Sequence, residues 1–368
     1  MEERLARENL IKSQQERSST NRYTKQVLEN WKRIESRGLN KYVTLDYEKL
    51  SEIATDHFAD NFQIPRWNEE GIYPRDNTAF KAQAIVSSVF NFAYNKPGKT
   101  GDKYNASAIS KDDIPSPKFP LSGSMSMQRK IYEAFGENPD ITSDMLRPFD
   151  SKNGIKKLFG EIPLLDERQK VLDDYTRGLD KYYEGSTAKI LDDLKTHSRR
   201  GNTRLNAFGK KGLVEELISK FPIAFGEDKQ SLYGYSMPFY KRAQLVAALI
   251  HGREVNDGQN GISDIAKLGA IADYQLPRAL KSLGILKYNP ELSNLVDNWQ
   301  IIPKGSSMEG EIRASTVVAI QKMMDEINTK RLQNKLPSIN MCHMDFWLWS
   351  MGRADKTSLP HLTPTSNY

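Results

Sequence analysis

Apolar residues recur at helical spacing along most of this chain, whereas the strict alternation typical of strands is scarce. The segment 80–94, FKAQAIVSSVFNFAY, is apolar on nearly every side and predicts a buried helix with Asn91, Phe92 and Tyr94 at its end. The same spacing predicts helices at 47–58, 124–136, 166–183, 186–196, 213–220, 237–250, 263–272, 276–283 and 307–331, with 338–350 helical or buried. The pattern as a whole predicts a mainly α fold with few short strands.

The chain divides into a charged beginning and a globular remainder. Residues 1–40 are dense in charge, with one short apolar stripe from Val27 to Ile34 that Gly38 ends, and we interpret them as a peripheral helical extension. Residues 41–368 are expected to form a single large domain. The stretches 95–122 and 197–212, rich in glycine and basic residues, are predicted to be loop insertions in it.

Composition excludes several classes of protein and site. The one cysteine, Cys342, rules out an internal disulfide and favours a reducing compartment. The five histidines lack the spacing of a metal site, and neither a metal nor another cofactor is expected. The start of the chain, MEERLARENL, lacks the apolar region of a secretory signal, and no apolar run approaches the roughly 18 residues of a membrane helix. We therefore expect a soluble, cytoplasmic protein with no membrane partner.

The formal net charge of +6 is a mild basic excess. It favours an anionic ligand or a nucleic acid, but a solvated basic surface explains it as well. The basic loop 197–212, HSRRGNTRLNAFGKKG, is compatible with a nucleic-acid contact and more readily with simple solvation. A nucleic acid is therefore the weaker candidate partner, and the composition does not determine the oligomeric state.

Two charged residues stand where apolar helices are expected to meet. Asp273, in ADYQLP, directly precedes a predicted helix with Pro277 in its first turn, so it either caps that helix or has a chemical role. Lys241 lies in the predicted helix 237–250, for which Ser236 is a plausible cap and Gly252 the stop. Because this helix is apolar on all sides after its first turns, Lys241 either reaches out to solvent or lies in the interior. An ionised carboxylate in an apolar pocket is what glycosyl transfer requires, because positive charge develops on the sugar.

The helix predicted at 307–331 opens with a capping box formed by Ser306 and Glu309. Glu309 and Arg313 are spaced as an ion pair one turn apart. The pair is either a salt bridge on the helix surface or an arginine directed at an anionic ligand, and the sequence leaves both open.

Six segments, in order, carry a resemblance to a known family: FGEIPLLDERQKVL, FYKRAQLVAAL, ADYQLPRALKSLGILKY, EGEIRASTVVAI, MDFWLW and PHLTPTSNY. The chain resembles the queuosine salvage family, the queuosine 5′-phosphate N-glycosylase/hydrolases, from about Val43 to Tyr368. The resemblance implies a fold similar to helix-hairpin-helix DNA glycosylases. It also implies cleavage of the N-glycosidic bond of queuosine 5′-monophosphate, a small-molecule nucleotide, which releases queuine for tRNA modification.

The resemblance also implies roles for individual residues. Asp273 matches the catalytic aspartate of the family and Lys241 its active-site lysine. Phe92 matches an aromatic position of the base pocket, and the region of His361 and Tyr368 matches one near the nucleotide. We further expect substrate contacts from Asn91, Tyr94, Tyr240, Tyr274, Arg313 and Asp345.

The chain departs from the family at the expected base pocket. The family usually has Asn-Phe-Cys/Ser-Phe-Trp where this chain has residues 91–95, NFAYN, and Arg and Gln where it has Gln275 and Arg278. Tyr94 and Asn95 replace apolar area by polar groups, so a related modified purine nucleotide is an alternative substrate. Two further alternatives are a glycosylase acting on a modified base in DNA or RNA and a non-catalytic nucleotide-binding protein.

Overall fold

The computed structural model describes residues 20–69, 72–105, 122–197 and 203–368. Within these ranges the chain is mainly helical with few short strands, which confirms that the fold is mainly α. The helices are α1 (Arg22–Ser36), α2 (Tyr47–Asp56), α3 (Asn77–Val89), α4 (Ser124–Phe135), α5 (Ser143–Leu146), α6 (Lys152–Phe159), α7 (Leu165–Tyr182), α8 (Thr187–Leu194), α9 (Leu213–Lys220), α10 (Lys241–Asn256), α11 (Gln275–Ser282), α12 (Pro290–Asp297), α13 (Ser307–Gln333) and α14 (Met341–Ala354), with 3-10 turns at Arg147–Phe149 and Ile265–Lys267.

Six short strands in the described ranges form three antiparallel pairs. The strands are β1 (Val43–Leu45), β2 (Thr196–His197), β3 (Thr203–Arg204), β4 (Lys229–Leu232), β5 (Tyr235–Pro238) and β6 (Leu286–Tyr288). β1 pairs with β6, which comes much later in the sequence. β4 and β5 form a hairpin that leads into α10. Each of these sheets contains only two strands, so the helices form most of the described structure.

The helix α13 forms the centre of the molecule. Most of its residues between Glu309 and Ile327 are buried, and it packs against α1, α2, α11 and α14. Two further helix pairs, α11 with α14 and α10 with α3, pack closely beside it. This arrangement gathers the first turns of α10 and α11, the segment after α3, and α14 in one region.

The helix α1 is part of the packed core. Val27, Trp31 and Ile34 are buried, and α1 lies against β5 and α13. Residues 1–19 of the predicted extension lie outside the described residues, and the proposed boundary at residue 40 stays a prediction. The apolar stripe seen in the sequence is therefore the core-facing side of a helix that the domain holds firmly.

Three helix predictions need correction. The predicted helix 80–94 ends at Val89, so Asn91, Phe92 and Tyr94 follow it in an irregular segment. The predicted helix 237–250 begins only at Lys241, because Tyr235–Pro238 pairs with β4, and it continues through Gly252 to Asn256. The predicted helix 263–272 is only a 3-10 turn at Ile265–Lys267. The short helices α5, α6 and α12 were not predicted.

The two predicted insertions are described only in part, at 95–105 and 122 and at 203–212 with residue 197. Tyr104 fixes the first of them to the core, since its amide donates to the carbonyl of Tyr94 at 2.7 Å and its hydroxyl to that of Phe159 at 2.7 Å. None of the helices in the described part of the chain is both long and apolar enough to span a membrane.

Candidate active site

A cleft of about 820 Å³, counting the part open to solvent, lies where α10, α11, α14 and the segment after α3 meet. Apolar and aromatic side chains form most of its wall: Pro65, Trp67, Tyr94, Met125, Leu245, Leu249, Ile271, Tyr274, Phe346, Trp349 and Tyr368. The polar side chains on it are Asn91, Lys103, Ser124, Gln128, Lys241, Asp273, Gln275, Asp345 and Arg353. Such a wall, with broad aromatic faces and a few polar groups, is typical of a site for a small planar ligand.

Asp273 lies two residues before α11, with Tyr274 between them, and its side chain caps the helix. Its Oδ1 accepts hydrogen bonds from the backbone amides of Gln275 at 2.7 Å and Leu276 at 3.2 Å. The cap is buttressed by α14, which approaches so closely that a Cβ at Gly352 would lie 2.5 Å from the carbonyl oxygen of Gln275. The predicted capping role is thus present, and the same carboxylate also lines the cleft.

The charge on Asp273 is set by opposing influences. The pKa of the Asp273 carboxyl group is raised above its ordinary value, because the effect of burial exceeds the opposite effects of the Lys241 ammonium, the two capping amides and Lys103. The positive end of the helix dipole acts in the same direction as these cations. Several groups that favour the negatively charged form therefore surround this one carboxylate, which lies in a largely apolar wall.

Lys241 is the first residue of α10 and points into the interior. Its ammonium donates to Asn91 Oδ1 at 2.9 Å and to the Asn91 carbonyl at 3.3 Å, and only 3% of the residue is exposed. The alternative that Lys241 reaches out to solvent is therefore wrong. Burial lowers the pKa of Lys241 to about 8, although the negative charges of Asp273 and Asp345 oppose this shift. A lysine with such a pKa titrates close to neutral pH.

A buried carboxylate that the sequence did not single out holds the start of α10. Asp228 accepts hydrogen bonds from the Lys241 amide at 2.8 Å and from both terminal nitrogens of Arg313 at 2.6 and 3.0 Å. Its own carbonyl accepts from the amides of Phe239 and Tyr240. Asp228 therefore ties the hairpin, α10 and α13 together beneath the cleft.

Arg313 and Glu309 do not form the surface salt bridge considered from the sequence. Both are buried, and Arg313 pairs with Asp228 instead. The Arg313 guanidinium lies 4.0 Å from the ring centroid of Phe239 and 4.4 Å from that of Tyr368. Arg313 does not line the cleft itself, but its guanidinium packs against Tyr368, which does. A direct contact with substrate stays a prediction.

A second carboxyl group, that of Asp345 on α14, lines the same cleft. Burial and the negative charge of Asp273 raise the pKa of Asp345 well above its ordinary value, against the influence of Lys241. Asp345 therefore retains its proton more readily than Asp273. Two carboxyl groups whose environments separate their pKa values are a common arrangement for acid–base work.

The remaining predicted residues fall into two groups. Asn91, Tyr94, Tyr274 and Tyr368 line the cleft, as do Asp273, Lys241 and Asp345. His361 lies behind it, with its Nε2 3.0 Å from the Tyr368 hydroxyl. Burial and Arg313 lower the pKa of His361 to about 3, so it is neutral at physiological pH.

Phe92 and Tyr240 do not reach the cleft wall. Phe92 is fully buried between two guanidinium groups, with Cζ of Arg168 4.3 Å and Cζ of Arg242 5.1 Å from its ring centroid. Tyr240 packs edge-on against Tyr23, with ring centroids 4.8 Å apart. These contacts are typical of core residues, and the ligand-binding roles of Phe92 and Tyr240 stay predictions.

Sequence reasoning missed a larger number of cleft residues, among them the aromatic Trp67 and Trp349 and the cationic Lys103 and Arg353. Trp349 is the last residue of MDFWLW and Arg353 lies one turn further along the helix that carries Asp345, so their helical spacing was a usable signal. Lys103 offered none, because it is one of several lysines in a predicted loop. Across the described ranges, no group of three or more His, Cys, Asp or Glu residues could hold a metal ion.

Comparison with known proteins gives consistent results. The family model described as "Queuosine salvage protein" matches residues 84–368. A queuosine 5′-phosphate N-glycosylase/hydrolase of Dictyostelium discoideum is 31% identical over 246 residues, which cover 66% of this chain and 70% of that protein. The protein of the same name from Sphaerobacter thermophilus is 26% identical over 333 residues, or 89% and 93% of the two chains. The mouse protein of that name is 25% identical over 252 residues, or 65% and 69%.

The family match covers every cleft residue described above from Asn91 to Tyr368, including the carboxylate of Asp273 and the ammonium of Lys241. On this evidence, the chain belongs to the queuosine salvage protein family.

Proposed function

We propose that this chain hydrolyses the N-glycosidic bond of queuosine 5′-monophosphate, or of a related 7-deazapurine nucleotide, and releases the free base for salvage. The observation that carries the proposal is the placement of Asp273, a carboxylate held by two amides in a cleft that also contains the Lys241 ammonium. The names of the relatives support the same reaction. The tyrosines and tryptophans of the wall offer flat surfaces for a base.

In the proposed reaction, the bond between C1′ and the base nitrogen breaks and leaves positive charge on the sugar. The Asp273 carboxylate stabilises this charge and orients or deprotonates the attacking water, whose oxygen becomes bonded to C1′. One such electrostatic contact in a site shielded from water contributes roughly 3–4 kcal/mol to transition-state stabilisation. The products are the free base and ribose 5-phosphate.

The leaving base needs a proton or a hydrogen bond from elsewhere, because a 7-deazaguanine lacks the basic N7 of guanine. Asp345 is suited to this task, since its raised pKa favours the protonated form of its carboxyl group in the same cleft. The positive charge of the Lys241 ammonium favours the ionised form of Asp273. A covalent imine between Lys241 and C1′ is the alternative role, and borohydride trapping would reveal it as a stable protein–sugar adduct.

As part of the same proposal, we infer that the helical fold is similar to that of helix-hairpin-helix DNA glycosylases. We also infer that the enzyme acts in the cytoplasm on a free nucleotide. The described part of the basic loop, 203–212, contributes no residue to the cleft wall, which favours a free nucleotide over a nucleic acid.

The test is incubation with queuosine 5′-monophosphate, GMP and oligonucleotides containing modified bases, followed by detection of free base by mass spectrometry. We expect release from queuosine 5′-monophosphate and little from GMP. Release from an oligonucleotide alone would support the nucleic-acid alternative, and release from none of the substrates would overturn the proposal.

A further inference from the structure

Lys103 is a cleft residue to which the proposed reaction assigns no contact with the substrate, although its charge lowers the pKa of Asp273. It is half-buried in the wall, and its ammonium lies 5.3 Å from the ring centroid of Tyr274, the residue after Asp273. In the part of the chain that the structure describes, no hydrogen bond or ion pair engages this ammonium. A charged group that is partly desolvated without such a partner is costly unless a ligand supplies one.

The local structure directs Lys103 to this position. Tyr104 on one side of it is anchored to Tyr94 and Phe159, and its carbonyl accepts from the Gly123 amide at 2.7 Å. A Cβ at Gly123 would lie 2.5 Å from Cε and 3.1 Å from Nζ of Lys103. The absence of a side chain at Gly123 therefore leaves the space through which the lysine reaches the cleft.

A second cation lies on the same wall. Arg353 lines the cleft, with its guanidinium 4.8 Å from the ring centroid of Trp349. Burial and repulsion from Arg353 lower the pKa of Lys103 to about 8, with Asp273 acting in the opposite direction. Two cations that repel each other on one wall form a favourable environment for a ligand with more than one negative charge.

We propose that Lys103, together with Arg353, binds the 5′-phosphate of the substrate and thereby makes the enzyme select a nucleotide over the corresponding nucleoside. The inference rests on the proposed function, because it assigns a substrate group to the same cleft. A phosphate accepts short, charge-assisted hydrogen bonds from both types of side chain. The bound phosphate would also relieve the repulsion between the two cations.

The test compares base release from queuosine 5′-monophosphate and from queuosine in the wild type and three variants. Lys103→Met keeps the apolar stem and removes the charge, whereas Lys103→Arg keeps the charge. Lys99→Met is the matched control, because Lys99 is exposed in the same loop and does not line the cleft. For Lys103→Met we expect kcat/KM to fall roughly 10- to 100-fold for the nucleotide, the usual range for one charged hydrogen bond, and to fall much less for the nucleoside, because only the effect of Lys103 on the pKa of Asp273 is lost there.

Lys103→Arg should retain most of the preference for the nucleotide, and Lys99→Met all of it. An equal fall for nucleotide and nucleoside in Lys103→Met would contradict the proposal, because it would show that Lys103 acts on Asp273 and not on the phosphate. An unchanged preference would contradict it as well.

A binding measurement separates this inference from the proposed function. By isothermal titration calorimetry, the wild type should bind ribose 5-phosphate more tightly than ribose, and Lys103→Met should remove most of the difference. This comparison requires no turnover, so it decides the role of Lys103 even if the wild type releases no base. Equal binding of ribose 5-phosphate by the wild type and Lys103→Met would overturn the assignment.

Discussion

At the scale of single residues, Asp273 shows how one side chain serves structure and chemistry together. The sequence presented capping and catalysis as alternatives, but one carboxylate oxygen, Oδ1, accepts both amide hydrogen bonds while the side chain lines the cleft. The capping amides also favour the ionised form that the proposed chemistry needs. The two roles therefore support each other.

The first prediction separates these two roles. Asn caps helices about as well as Asp, so Asp273→Asn should preserve folding and nucleotide binding. Without the negative charge, base release should slow by at least about 100-fold. Asp76→Asn is the matched control, since Asp76 caps α3 by accepting from the Ala79 amide at 2.8 Å and does not line the cleft. Unchanged turnover in Asp273→Asn, measured beside this control, would contradict the catalytic role.

The second prediction concerns the pH dependence that Lys241 imposes. Its pKa is lowered to about 8, so the ammonium is present below that pH and is lost as the pH rises through it. If the charged form is required, kcat at saturating nucleotide should decline above about pH 8. Lys241→Met should lower kcat strongly across the whole range with little change in thermal stability. A flat alkaline profile in the wild type, together with an active Lys241→Met variant, would show that the ammonium is not needed.

At the scale of elements, the site depends on how the β4–β5 hairpin and α13 hold the start of α10. Asp228 makes this connection through Arg313 and the Lys241 amide, and both members of the ion pair are nearly inaccessible to solvent. Buried ion pairs add little stability compared with apolar replacements, but removal of one member leaves an uncompensated charge. The main role of the pair between Asp228 and Arg313 is therefore to fix the position of the start of α10 relative to α13.

The third prediction follows from that burial. Asp228→Asn should lower the free energy of unfolding by about 3–5 kcal/mol, as measured by urea denaturation, because Arg313 loses its counter-charge. Asp166→Asn is the control, since it breaks the exposed pair between Asp166 and Lys152 and should change stability little. Similar small losses in both variants would mean that Arg313 is not held mainly by the charge of Asp228.

Element boundaries near the site were the least predictable from sequence. Ser236 and Pro238 resemble a cap and a first turn, but hairpin pairing with β4 makes them strand residues, and α10 starts at Lys241. The apolar run 80–94 likewise continues past the end of α3, because the segment after Val89 is buried in irregular structure. In both places the hydrophobic pattern correctly predicts that the residues are buried, whereas contacts with distant parts of the chain determine whether the backbone is helical, extended or irregular.

At the scale of the whole molecule, the cleft is assembled from segments that lie far apart in sequence. Asn91, Lys241, Asp273 and Asp345 come from four such segments, which the packing of α10, α11 and α14 brings together. The sequence identified these four because they lie in motifs. It could not identify Asp228 or Lys103, since their importance arises only from long-range neighbours.

The central claim is that this cleft releases a base from a nucleotide by means of Asp273. The most direct measurement is single-turnover release of queuine from queuosine 5′-monophosphate, followed by mass spectrometry, with the wild type and Asp273→Asn at equal concentration. The account predicts release of queuine and ribose 5-phosphate in equal amounts by the wild type, at a rate at least about 100-fold higher than that of the variant. Equal rates in the two proteins, or a wild type that binds the nucleotide and leaves it intact, would contradict it.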